Sequence, residues 1–133
     1  AINMEITSWR ETGQVPVTIL QLKGDLVAED PLGTRVTAAF AGGARHIVLD
    51  LSDVPYISSA GLRAIHSAYM LLRSADPADA AAAAQGIATG AYKSPHLKLV
   101  RPSKNAMRAL STTGYDMFLE IHDTISSAVQ SFS

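Results

Sequence analysis

Two adjacent hydroxyls, Ser58 and Ser59, follow a short apolar run and precede a stretch with helical spacing, so they stand where a strand hands over to a helix. The first backbone amides of a helix have no partner within it, and the positive end of its dipole stabilises an added anion by roughly 0.3 to 1 kcal/mol at an exposed site. A phosphate ester on either serine is tolerated there. It would add about 1.5 to 2 negative charges to a small neutral surface, and burying an unmatched charge at an interface is costly enough to expel a docked partner. Judged by spacing alone, a serine at this position is more often only a helix cap. Gly61 suits a close approach by a partner's backbone, and Leu62 suits a core anchor.

Other residue types that do chemistry are present but scattered. His46, His66, His96 and His122 lack the close spacing of paired metal ligands, and with no cysteine to join them they read as solvated or capped side chains, with no metal expected. Ser59 is not in a Gly-x-Ser-x-Gly elbow, no base and acid pair is marked for it, and no phosphate-cradling glycine pattern occurs, so neither an enzyme nor a cofactor is expected. Asp50 and Asp53 lie near the serines in sequence and read as strand-end turn residues. Arg63, Arg73, Arg101 and Lys104 fit a partner surface and a solvated helix face equally well.

The elements that position these groups follow from periodicity. Met4 and Ile6 alternate with polar residues as far as Arg10, and Val15 to Lys23 resumes after Gly13, which predicts two antiparallel strands. Val17, Ile19 and Gln21 face one way and Thr18, Leu20 and Leu22 the other, so the second strand is an inner one. Asp30-Pro31 opens a helix bearing Leu32, Val36, Ala39 and Phe40, which Gly42-Gly43 stops. His46 to Leu51 reads as a strand buried on both faces, at the centre of the sheet.

A second helix starts at Ser58 or Ser59, carries Leu62, Ile65, Ala68, Tyr69 and Leu72 on one stripe, and ends near Ser74. Leu97, Leu99 and Val100 form a strand, and Pro102-Ser103 opens a third helix with Met107 and Leu110, closed by Gly114. A short strand follows over Met117 to Ile121, and Asp123 caps a last helix with Ile125, Ala128, Val129 and Phe132 inward. Ala75 to Ser94, about twenty residues, is longer than an ordinary connection. Its alanines favour helix, yet methyl groups bury little, which predicts a short helical extension, then a mobile loop, as the least ordered part.

With 133 residues the chain is long enough for one modest core, and residues 4–133 are expected to form a single domain with an atypical insertion at about 75–94. Eleven basic and twelve acidic residues leave a formal charge of −1 without blocks of either sign, so no nucleic acid or anionic membrane is expected as a partner. No apolar run approaches the roughly 20 residues of a membrane span and no signal-peptide pattern opens the chain, so the expectation is a soluble, cytoplasmic protein without membrane insertion. Met4 makes a natural start, and no function is attached to the three residues before it.

The stretch from Ile47 to Ile65, with Ser58-Ser59-Ala60-Gly61-Leu62 at its heart, resembles the signature of the STAS family, in which bacterial anti-sigma-factor antagonists carry a strand, a turn and an Asp-Ser-Ser-Gly-Leu-like segment. Leu22-Lys23-Gly24-Asp25-Leu26 resembles the family's second strand and its turn, and Arg101-Pro102-Ser103 through Gly114 its late strand and third helix. The resemblance covers most of the chain outside Ala75 to Ser94. It implies an α/β fold, a four- to five-stranded mixed β-sheet with about four α-helices packed mainly on one side.

It also implies that the unphosphorylated protein binds an anti-sigma factor of the serine-protein-kinase type and releases the sigma factor, and that phosphorylation of Ser59 ends this binding. The implied partner surface comprises Asp25, Ser58, Ser59, Ala60, Gly61 and Arg63, and homodimerisation is left open. Ser58 stands where the family has aspartate and Ala60 where it often has a second hydroxyl, so Ser58 is the second choice of acceptor. The alternative is a STAS-type subunit that binds a lipid, nucleotide or other small molecule, or a scaffold within a signalling or transport assembly, which the long 75–94 segment favours slightly.

Overall fold

An antiparallel pair opens the sheet: β1 (Glu5–Thr12) runs beside β2 (Pro16–Lys23), with Glu5 opposite Lys23 and Thr12 opposite Pro16. The computed structural model describes residues 4–87 and 89–133; residues 1–3, and residue 88 within the long connection, lie outside the described residues. Three parallel strands continue from β2, namely β3 (Ile47–Asp53), β4 (Leu97–Val100) and β5 (Glu120–His122). The spatial order follows the chain, β1-β2-β3-β4-β5, which places β3 in the middle as its apolar run requires.

Strand alternation sends side chains into two cores. Leu20, Leu22, Ile47, Leu49, Leu51, Leu97 and Leu99 form the larger one with α1 (Leu32–Ala41), α2 (Ser59–Ser74), α3 (Pro77–Gly86) and α4 (Lys104–Thr112). Val17, Ile19, Val48 and Val100 meet Ala128 and Val129 of α5 (Ile125–Ser131) and Phe132 just after it in the smaller one. The mixed α/β sheet with helices mainly on one side is thus as expected, with five α-helices among the described residues instead of about four.

The boundary differences are informative. The last strand is Glu120–His122, because Met117 belongs to a 3-10 turn (Tyr115–Met117) that follows the left-handed Gly114, φ 79°. Thr124, not Asp123, caps α5, its hydroxyl accepting from the Ser127 amide at 3.0 Å. The first helix begins after Pro31, yet Asp30 still serves its first turn by accepting from the Thr34 amide (3.1 Å) and hydroxyl (2.8 Å).

The alanine-rich segment carries the helix its alanines predict, as a separate element. It forms α3, capped by Asp76, whose Oδ1 accepts from the amides of Ala78 and Asp79, and the chain beyond it returns through buried Tyr92 and Ser94. Only Ala83 is a buried apolar side chain on this helix, so polar contacts hold it. Tyr69 donates to the Tyr92 hydroxyl (3.1 Å), which donates to Asp79 Oδ1 (2.6 Å), while Asp79 Oδ2 is buried without a partner among the described residues. Burial first, then the bonds to Asp79 and Tyr69, pushes the Tyr92 hydroxyl far above its usual pKa, so it remains a donor. A hydrogen bond from His96 (2.8 Å), followed by the Asp79 amide, holds the Asp76 carboxyl below the usual range.

Two further groups tie the smaller core together. Lys98, 3 % exposed, donates to the Ser131 carbonyl and hydroxyl, pairs with Glu120 at 3.3 Å and lies over the Phe132 ring. His46 sits edge-on to Phe132 and 5.2 Å from His96, ring to ring. Burial, then the charges of His96 and Lys98, lowers the His46 pKa from 6.5.

Two predictions follow from these contacts. Tyr92→Phe removes the donor to a buried carboxylate and should cost about 1 to 3 kcal/mol in urea unfolding, with amide exchange accelerated first in α3; unfolding and exchange like the native chain's would contradict the network. Because the fold favours neutral His46, its contribution is full above the unfolded pKa and is lost as pH falls from about 6.5 towards the lower folded value. His46→Gln should therefore flatten the stability profile measured between pH 7 and 5.

Candidate functional site

The serine pair sits where β3 passes into α2, at the edge of the sheet where the parallel strands end. Leu51 accepts from the Val54 amide to turn the chain, and Ile57, 3 % exposed, anchors the next residues in the core. A strap from the end of β2 crosses this junction. Gly24 donates to Asp53, Leu26 donates to Tyr56, and Ser58 donates back to the Leu26 carbonyl, at 3.0, 2.9 and 2.9 Å. The helix start is thereby fastened to the neighbouring strand by backbone hydrogen bonds.

Ser58 is the N-cap: its backbone is extended, and its Oγ accepts from the Gly61 amide at 3.2 Å. Ser59 is the first helical residue and is exposed, while Ser58 is half-buried. With the Gly61 amide used by the cap, the amides of Ser59 and Ala60 remain the orphan donors of the first turn. Gly61 is buried, and a Cβ there would run into the Leu26 carbonyl oxygen. Its close approach is therefore to the chain's own strap, in place of the partner backbone expected from the sequence. Leu62 is half-buried against the larger core, and Arg63 and Asp25 are exposed, Asp25 on the strap itself.

A groove opens beside Ser59, between the start of α2 and α4. It is lined by Tyr56, Ile57 and Leu62 on one side and by Asn105, Arg108 and Ala109 on the other. Tyr56 is 51 % exposed, the ring least covered among the groove's apolar members. Ser103 fixes α4 beside the junction by donating to the Val54 carbonyl at 2.7 Å while accepting from the Ala106 amide. Tyr56, Asn105 and Arg108 were not anticipated from the sequence, since the groove depends on the crossing of two helices remote in the chain. The hydroxyl of Ser103 after Pro102 was the one local signal that α4 begins there.

The other candidates are dispersed. Asp50 points to the opposite face of the sheet, with Val48, and its carboxylate accepts from Gln21 Nε2 and the Ser52 amide, both at 3.0 Å. Asp53 is exposed near the strap. Arg73 lies at the far end of α2 over the Tyr69 ring, whereas Arg101 and Lys104 share the edge of the sheet with Ser59. His96 bonds to Asp76 and the Arg45 carbonyl, and His122 to Glu120 and Ser127. Among the described residues no cluster of three His, Cys, Asp or Glu side chains could hold a metal ion, and no helix is long and apolar enough to cross a membrane.

The STAS domain profile matches residues 2–76, ending at the residue that caps α3. The chain is similar in structure to a candidate anti-sigma factor antagonist from Thermotoga maritima, with 26 % identity, 92 % of each chain covered and a TM-score of 0.64. An anti-sigma factor antagonist from Mycobacterium paratuberculosis gives 18 % identity, 96 % of this chain and 92 % of the other, and a TM-score of 0.66. The Bacillus cell fate determinant SpoIIAA in its phosphorylated form gives 15 % identity, 94 % and 96 % coverage, and a TM-score of 0.61. No curated protein matches the sequence.

The contact at Gly61 gives a direct test. Gly61→Ala must displace either the strap or the helix start, and is expected to cost about 1 to 3 kcal/mol in thermal or urea unfolding, with faster exchange of the Ser58 amide. Ala60→Gly, one residue away, should cost under about 1 kcal/mol through helix propensity alone. Equal losses at the two positions would show that the strap does not press on the helix.

Proposed function

The chain belongs to the STAS domain family, whose profile matches more than half of it, and from that premise we propose that it is an anti-sigma factor antagonist switched at Ser59. In this reading the unmodified protein docks on an anti-sigma factor of the serine-kinase type through the start of α2 and frees the sigma factor. The observation that carries it is the exposure of Ser59 at the first position of a helix whose cap and strap leave only that hydroxyl outward. The similarity to anti-sigma factor antagonists supports the choice of partner.

The modification transfers the γ-phosphoryl group of ATP. A bond forms between Ser59 Oγ and phosphorus, the bond from phosphorus to the bridging oxygen of ADP breaks, and the hydroxyl proton passes to a base supplied by the kinase. The orphan amides of Ser59 and Ala60 and the dipole of α2 favour the product. For the partner, about two new charges arrive beside the apolar groove floor of Tyr56 and Leu62, where no complementary charge was needed before. Ser58 is the less suitable acceptor because it is half-buried and its oxygen already serves the Gly61 amide. The role requires no cofactor and no catalytic group on this chain.

Incubation with candidate serine kinases and ATP should place one phosphate on Ser59, located by mass spectrometry. Ser59→Ala should bind the kinase as the native protein does, and Ser59→Asp should weaken binding at least about tenfold, a change of about 1.4 kcal/mol. Phosphate found elsewhere, or native-like binding by both variants, would place the docking surface outside this junction.

A further inference from the structure

The groove beside Ser59 has an asymmetry of charge. Arg108 lines it from the exposed side of α4, and among the described residues it forms no ion pair. Arg63 lies one turn along α2 from Ser59 but is not among the groove residues, and its charge also opposes the rise that burial causes at the Tyr115 hydroxyl. Asp25 stands on the strap, on the β2 side of the α2 start, whereas α4 lies on the β4 side. A dianion attached at residue 59 is repelled from the strap and attracted towards α4.

We infer that Arg108 holds the phosphate of phosphorylated Ser59 across the groove, so that the modification also covers Tyr56 and Leu62 from within the chain. This inference rests on Ser59 as the modified residue. A guanidinium suits the task because its planar fork donates two parallel hydrogen bonds to phosphate oxygens, which the point charge of a lysine does not. Asn105, on the same wall one turn earlier in α4, offers an amide donor beside it. The switch then has two physical parts: repulsion of the partner by the ester, and closure of the groove the partner would occupy.

The test is independent of any kinase. Phosphoserine is introduced at position 59 during translation, and its second ionisation is followed by phosphorus NMR in the native background and in Arg108→Gln, Arg108→Lys and Arg63→Gln. A cation held against the phosphate favours the dianion, so Arg108→Gln should raise the titration midpoint by about half a pH unit, Arg108→Lys by less, and Arg63→Gln, one turn from residue 59 on α2, by less than Arg108→Gln. Circular dichroism confirms folding, which the exposure of Arg108 makes secure. An unchanged midpoint in Arg108→Gln, or a larger shift in Arg63→Gln, overturns the assignment. A kinase that fails to modify Ser59 would sink the proposed function while leaving this measurement to be read on its own.

Discussion

The carbonyl of Leu26 bears on almost everything where β3 passes into α2. It accepts from the Ser58 amide and abuts Gly61, so it determines both where α2 begins and how closely the strap from β2 can lie against it. A side chain at position 61 would lift the two apart. With the inner side of the first turn occupied by backbone, the outward side is left to Ser59. Presentation of that hydroxyl is thus a consequence of backbone packing, and the capping bond from Gly61 to Ser58 adds to it without creating it. In the proposed docking role, a helix start held by these backbone bonds lowers the ordering cost of binding.

The remainder of the fold supports that junction at unequal strength. The five-stranded sheet and its two apolar cores hold β3 in the centre, and Ser103 secures α4 to the turn that follows it. The segment beyond the family match depends on a different kind of contact. Helix α3 buries one apolar side chain and is held through Asp76, Asp79, His96 and the two tyrosines, with one carboxylate oxygen left unpaired among the described residues. Polar networks in low dielectric are stabilising when complete and costly when one member is missing. This stretch is consequently the part of the molecule most open to single substitutions, and it lies at the opposite end of α2 from the serines.

Much of the architecture was legible in the chain. The β-branched run at Ile47 to Leu51 marked the central strand, the stripe from Leu62 to Leu72 marked α2, and hydroxyls before apolar periods marked helix starts. What was not legible depends on residues remote in the chain. The alanine-rich stretch lacks an amphipathic face, and the helix its alanines predict is held by Tyr92, which reaches Asp79 from beyond the helix. Likewise Lys98 alternates into the apolar face of β4 and is accepted there only because Ser131 and Glu120 meet it.

The sequence by itself therefore determined the order of elements, the two faces of each strand and the position of a neutral hydroxyl at a helix start, because these depend on periodicity and on caps within a few residues. The tertiary structure alone decided that Gly61 accommodates the chain's own strap, that Arg108 and Asn105 share a groove with Ser59, and that Asp50 faces away from it. Such pairings join residues from about thirty to fifty positions apart, and short-range spacing carries no information about which distant side chains a helix crossing will bring together.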